Sequence, residues 1–267
     1  FTDKGKCYWV KVYDIPEGGR AAKGRAIVNL IGCEPDEKVS AFISVKEFND
    51  DHYVVMATEK GMVKKTKLSA YSNPRKKGIY AVEIRDGDKL IEARVSTGDN
   101  DILLGTRNGK SIRFSEEQIR ASGRKTMGVK GITLSSEDDR LVGMLLIKRE
   151  GTVLVATEKG FGKRTEISQY RAQKRGGKGV LTMKTTDKVG KMVTIKEVVD
   201  KDDLMIITNQ GVLIRLPVAQ IRSIGRATQG VKLIKLGEGT LVSSITRIMS
   251  EEEEDENNNT EPTDPKE

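Results

Sequence analysis

The sequence predicts an all-β protein made of four-stranded blades set around an axis. Three observations lead there: glycines that recur with a double spacing, short β-branched runs on either side of them, and turns that carry cations beside the second glycine. The first glycine stands in a polar turn at Gly5, Gly61, Gly109, Gly160 and Gly211, in steps of 56, 48, 51 and 51 residues. The second follows at Gly24, Gly78, Gly128, Gly179 and Gly230, offset by 19, 17, 19, 19 and 19 residues. Five copies holding both spacings define an internal repeat, and the repeat decides the architecture before any single element does.

Each unit reads in the same order. A lead strand rich in β-branched residues comes first, as at 53–58, 102–106, 152–157 and 204–208. The polar turn with its glycine closes a tight hairpin. A return strand follows at 62–66, 110–114, 161–165 and 212–216. An irregular connection ends at the second glycine, and a third strand is expected directly after it, at 26–30, 79–84, 129–134, 180–184 and 231–236. A fourth is expected at 39–45, 90–95, 141–147, 192–195 and 241–245. Four short strands per ~50 residues is the pattern of blades; a linear β-solenoid has shorter coils and lacks this hairpin. The first unit opens at Phe1 inside its hairpin, so an upstream segment is expected to supply its lead strand and a further blade.

The net charge of +8 hides two opposite parts. From Ser250 to Glu267 the chain carries nine carboxylates and one lysine, which leaves 46 basic against 30 acidic residues in 1–249, a net of +16. A body that basic points to a polyanionic partner. The tail lacks apolar anchors and is expected to be disordered. No apolar run approaches the ~18 residues of a membrane span, and Cys7 and Cys33 show no metal-ligand spacing.

Catalytic chemistry finds little to stand on. The single histidine, His52, lies beside Asp50 and Asp51 with no cysteine or histidine to share a metal, and reads as a surface residue. Tyr8, Tyr13, Tyr53, Tyr71, Tyr80, Tyr170 and Trp9 read as packing residues. There is no nucleophile elbow, phosphate-binding Walker loop, zinc spacing or dinucleotide fingerprint. No catalytic, cofactor or metal residue is assigned.

The second-glycine turns are where chemistry gathers. Every one carries an arginine: Arg20 with Lys23 and Arg25, Arg75 with Lys76 and Lys77, Arg124 with Lys125, Arg175 with Lys174 and Lys178, and Arg226. The strongest is Gln173-Lys174-Arg175-Gly176-Gly177-Lys178-Gly179. Its glycines allow close backbone approach, and its cations supply charge and donors for phosphate. The return strands add Lys64, Lys65, Lys67, Arg113, Lys163, Arg164 and Arg215. Blades related by rotation bring equivalent turns to one rim, and a curved cationic band with few aromatics fits the backbone of duplex DNA better than stacked single strands. With no helix for the major groove, base readout is expected to be minor and any preference to come from DNA bendability.

These residues also resemble a known family. The stretch QKRGGKG is similar to the gyrase A box, usually QRRGGKG, with Lys174 where the family has arginine. Gly160–Thr165, Gly225–Val231 and Ala57–Thr66 look like the same family. The resemblance covers about residues 1–248 and implies the C-terminal DNA-wrapping domain of DNA gyrase A, a six-bladed β-pinwheel of which five repeats are visible here. It implies double-stranded DNA as partner, bent around the outer rim for negative supercoiling. It also implies assembly with the rest of gyrase A and with gyrase B, two copies of each. The fragment itself is expected to be a non-catalytic monomer, bacterial, cytoplasmic and nucleoid-associated. ATP and magnesium are expected elsewhere in the full enzyme. The family's defining box stands on its first blade, whereas the box-like copy here is on the fourth repeat. The corresponding domain of topoisomerase IV is the nearest alternative. A protein-interaction propeller is another, without its Trp-Asp or Gly-His signatures; an enzyme propeller would want more than one histidine.

Overall fold

The computed structural model describes residues 1–19 and 22–249. The acidic tail and Arg20 lie outside the described residues. The chain divides into two compact units, one of residues 1–106, 112–148 and 172–179, the other of residues 107–111, 149–171 and 180 onward.

In the first unit, the second repeat forms a lead strand Tyr53–Thr58, a return strand Met62–Lys67 and a fourth strand Leu90–Ser96. The third repeat forms Asp101–Thr106, Lys110–Ser115 and Leu141–Ile147 in the same roles, with Lys110 and Ser111 falling in the second unit. In the second unit the fourth repeat gives Thr152–Thr157, Phe161–Glu166 and Met192–Val198, and the fifth gives Asp203–Thr208, Leu213–Pro217 and Val242–Ile248. All pairings within these sheets are antiparallel, and the lead strand stands between the return and fourth strands.

The hairpin turn is built the same way each time. The lead strand ends in threonine, and Gly5, Gly61, Gly160 and Gly211 each donate an amide to the carbonyl of Thr2, Thr58, Thr157 and Thr208 at 2.9–3.0 Å. The glycines hold φ between 77° and 84°, Gly109 included, a region closed to most side chains.

The middle lead strands are buried along almost their whole length, Val54–Thr58, Ile102–Thr106 and Val153–Thr157, rather than on alternate residues. Both faces are covered, so the sequence shows a continuous apolar run. Val55, Val63, Ile102, Ile112, Phe114 and Met144 form one core in the first unit; Leu154, Leu204, Ile206, Val218 and Ile245 form the core of the second. In the fifth repeat, strand Asp203–Thr208 returns to strict alternation, because only one face is packed.

The structure corrects three sequence expectations. The third strands are two residues long: Ile79–Tyr80, Val129–Lys130, Val180–Leu181 and Val231–Lys232. Each pairs not with its own repeat but with the return strand of the repeat before, at Lys6–Cys7, Met62–Val63, Lys110–Ser111 and Phe161–Gly162. A run of β-branched residues says that a strand exists, not which edge accepts it. In the first repeat, the expected strand 26–30 is instead partly a helical turn, Val28–Ile31, and 39–45 forms no named strand: it bridges at Val39 to Thr2, and the Ser40 and Ala41 amides donate to the Phe1 carbonyl. Among the described residues, neither segment pairs with a named strand as its counterparts do. The short 3-10 turns after the return strands, such as Leu68–Tyr71 and Glu116–Gln118, were not legible as elements.

Candidate nucleic-acid interface

The second-glycine turns are anchored on the preceding repeat by recurring backbone bonds. The carbonyls of Lys65, Arg113 and Arg164 accept the amides of Ser122, Gln173 and Ile224 at 2.8–2.9 Å. The carbonyls of Thr126, Gly177 and Thr228 accept the amides of Glu83, Thr133 and Lys184 at 2.9–3.1 Å. The donors and acceptors step by about one repeat, so the turns occupy equivalent places. Gly78, Gly128, Gly179 and Gly230 hold φ of 68–81° at the turn exit. A Cβ on Gly128 would lie 2.4 Å from the carbonyl oxygen of Val63, and one on Gly230 would lie 2.6 Å from that of Gly162.

This anchoring sorts the sequence-predicted cations into three groups. Lys64 and Lys163, at equivalent places in their return strands, are buried to 1% and 0% exposure. The Lys64 ammonium donates to the carbonyls of Ala81 and Arg124, and that of Lys163 to Gly225, Arg226 and the Thr228 hydroxyl. They brace basic turns from beneath and are closed off from any outside phosphate. Burial, with repulsion from Arg124 and Arg226 respectively, pushes both pKa values down to about 8. In the third repeat the equivalent residue is Ile112, and the turn above it carries Gly177 where its counterparts carry Thr126 and Thr228.

The sign of the pH effect follows from that depression. Below about pH 8 the folded and unfolded chains both carry the charge, and its burial costs stability in full. Between about 8 and the ordinary 10.5 the folded chain gives up the proton first, the unfolded chain binds more protons, and stability rises with pH. In urea unfolding, wild type is expected to gain stability over Lys64→Met across this window by on the order of 1–3 kcal/mol. Parallel pH profiles for the two proteins would contradict the assignment.

A second group is paired with carboxylates. Arg113 meets Asp101 at 2.6 Å, Arg215 meets Asp203 at 2.6 Å, and Arg164 meets Asp200. Lys65, buried, lies 3.1 Å from Glu116 and 4.5 Å over the Tyr53 ring, and Lys67 sits 3.4 Å from Asp50 at the surface. Arg175 and Arg226 are also committed inward. The Arg175 Nε donates to the Gln118 carbonyl at 3.0 Å and one terminal nitrogen donates to that of Lys130 at 3.1 Å. Arg226 donates to the Leu181 carbonyl at 2.7 Å, and its amide donates to Gln169. The arginine shared by every turn is thus, in these two, a staple that ties the turn to the neighbouring short strand.

The third group faces solvent: Lys23, Arg25, Arg75, Lys76, Lys77, Lys125, Lys174 and Lys178 are exposed, with Arg124 half-buried beside them. Gln173 and the box glycines Gly176, Gly177 and Gly179 are half-buried and shape the turn. Gly176 donates its amide to Gly131 and accepts from the Thr133 hydroxyl, both at 2.6 Å. Arg120, Arg171 and Arg222 were missed by the sequence reading. All three are exposed, and each follows the buried Ile119, Tyr170 or Ile221 just before its turn. Their even 51-residue steps were the available signal.

Antiparallel blades that lend a strand to the preceding repeat, and carry a cationic turn at the same place in each, define a propeller-type repeat protein with a basic surface. The chain belongs to the family described as DNA gyrase C-terminal domain, beta-propeller, which matches it five times, over residues 1–46, 52–97, 100–148, 151–198 and 202–248. It is 45% identical over 256 residues, 95% of its length, to the DNA gyrase A polypeptide of Staphylococcus epidermidis, and equally to that of Staphylococcus aureus. The chain spans about 29% of the length of these relatives. The C-terminal domain of DNA topoisomerase IV has a similar structure, with a TM-score of 0.86 at 26% identity over 93% of this chain and 78% of that one. A DNA gyrase A C-terminal domain superposes with a TM-score of 0.81 at 22% identity, over 93% of this chain and 80% of that one, a likeness of fold.

Proposed function

We propose that this chain binds and bends duplex DNA across its exposed turn cations, as the C-terminal part of a gyrase A polypeptide. It would hold DNA for the strand-passage core and perform no bond chemistry itself. One observation carries the reading: after buried and paired cations are set aside, solvent-facing ones still recur in the second-glycine turns of the first four repeats. Duplex DNA offers a charge every ~1.7 Å of axis, so a recurrent array of lysines can displace many counterions at once. Its turns offer no exposed aromatic platform on which bases could stack. The working partners are then double-stranded DNA, the remainder of gyrase A, and gyrase B, in an assembly holding two copies of each polypeptide. The setting is the bacterial cytoplasm and nucleoid, with ATP and magnesium acting on other parts of the enzyme.

The gyrase reading is favoured over topoisomerase IV by the 45% identity to gyrase A across nearly the whole chain, and by a box that departs from the gyrase form only at Lys174. The backbone match to the topoisomerase IV domain is the observation on the other side. A topology assay tests wrapping directly. Plasmid relaxed and ligated with the chain bound at low salt is expected to show a linking-number change of one sign that grows with protein. Topoisomer distributions identical to the protein-free control would refute the proposal.

A further inference from the structure

In repeats two to five the return strand carries a cation at one equivalent place: Lys65, Arg113, Arg164 or Arg215. What the first residue of the lead strand offers it differs. Tyr53 places its ring 4.5 Å from the Lys65 ammonium, and Gly98 leaves that ring room, since a Cβ there would lie 2.9 Å from it. Asp101 and Asp203 clasp Arg113 and Arg215 at 2.6 Å. Thr152 is too short for either role, and its hydroxyl donates instead to the Val198 carbonyl at 3.3 Å.

A cavity of about 700 Å³ opens at this place in the fourth repeat, wholly within the second unit. Thr152 and Val199 line it beside Arg164, which is 8% exposed. The Arg164 Nε donates to the Ile221 carbonyl at 2.8 Å, and a terminal nitrogen donates to Asp200. Both bonds engage the edge of the guanidinium and leave its planar faces for stacking. Along the lining, the carboxylates of Glu150, Glu166 and Asp200 outnumber the cations Arg164 and Lys201, a local excess of negative charge on a basic chain.

We propose that this cavity binds a monocyclic aromatic group carrying an ammonium. The ring stacks on Arg164, as the second repeat seats Tyr53 on Lys65, and the ammonium lies among Glu150, Glu166 and Asp200. The fold displays the cation–ring pairing once with its own side chains, and the fourth repeat keeps the cation without the ring. Such a pairing gains most beside a cation withdrawn from water, as Arg164 is. The carboxylates favour an amine over a neutral or acidic ring. The source is either a free aromatic amine or a tyrosine beside a lysine on another polypeptide.

Titration with tyramine, followed at the backbone amide resonances of Thr152, Val199 and Ser223, tests this. Saturable shifts with a Kd of about 1 mM are expected, and p-cresol, the same ring without the ammonium, is expected to bind about threefold more weakly. Thr152→Tyr supplies the ring from within, as Tyr53 does, and is expected to unfold cooperatively and to weaken tyramine binding by about tenfold or more. Glu150→Gln, at an exposed position, is expected to weaken tyramine by about threefold and leave p-cresol unchanged, so it reads the site even if the tyrosine variant misfolds. A blocked tyrosyl-lysine dipeptide that binds more tightly than tyramine supports the polypeptide source; the reverse order supports the free amine. No saturable shift with tyramine or the dipeptide up to about 20 mM, or binding indifferent to both substitutions, overturns the proposal.

Discussion

Replacing Lys76, Lys77, Lys125, Lys174 and Lys178 together by glutamine is expected to lower affinity for duplex DNA by about a hundredfold or more at moderate salt. The same variant is expected to flatten the slope of log affinity against log salt by about four to five. All five side chains are exposed, so folding stability should change by no more than about 0.5 kcal/mol per site. Fluorescence anisotropy with a labelled duplex at several salt concentrations reads both quantities. The slope is the decisive one. A lysine on a phosphate releases counterions and contributes to it, whereas a lysine that only shapes a turn does not. Lys163→Met is the contrast, since Lys163 sits beneath its turn with its ammonium on Gly225 and Arg226. It is expected to reduce affinity with the slope changed by less than about one. An unchanged slope in the five-lysine variant would remove the phosphate contacts from the interface.

Gly128→Val is expected to cost about 3–5 kcal/mol of stability, among the largest effects of any single substitution in the first unit. Two penalties combine. The residue sits at φ 81°, where a β-branched side chain is strained, and its Cβ would fall 2.4 Å from the Val63 carbonyl oxygen and 3.0 Å from the Lys64 side chain. Neither neighbour can retreat, because Val63 is paired with Val129 and Lys64 is pinned by its two carbonyls. Gly123→Ala, in the same turn but with nothing within 4 Å, is the control and is expected to lie within about 0.5 kcal/mol of wild type. Urea unfolding measures both. Similar stabilities for the two variants would mean that the turn is not held against the preceding strand as described.

Much of this protein could be read along the chain, and the reasons are local. The hairpins were legible because threonine, a polar turn and a glycine at positive φ recur within a few residues. The lead strands were legible because burial on both faces leaves long apolar runs. The five repeats and their basic turns followed from spacing alone. The third strands show where such reading stops: Val129–Lys130 belongs to one repeat in sequence and to the sheet of another in space, and no pattern within the repeat marks the edge it joins. The cations divide by the same logic. Lys64 and Lys125 look alike in sequence, yet one lies beneath its turn at 1% exposure and the other faces water. Arg113 and Arg215 look free until Asp101 and Asp203, twelve residues earlier on the paired lead strand, close on them.

Local chemistry therefore settled the repeat, the strand-forming runs, the positive-φ glycines and the overall basic character, since each depends on residues close together in the chain. Which edge each short strand joins, which lysines are buried as braces, which arginines are staples and which cations remain facing solvent were decided by packing between repeats about 50 residues apart. A side chain's charge is written in its own identity; whether that charge meets a carbonyl, a carboxylate or solvent depends on neighbours that only the fold brings within reach.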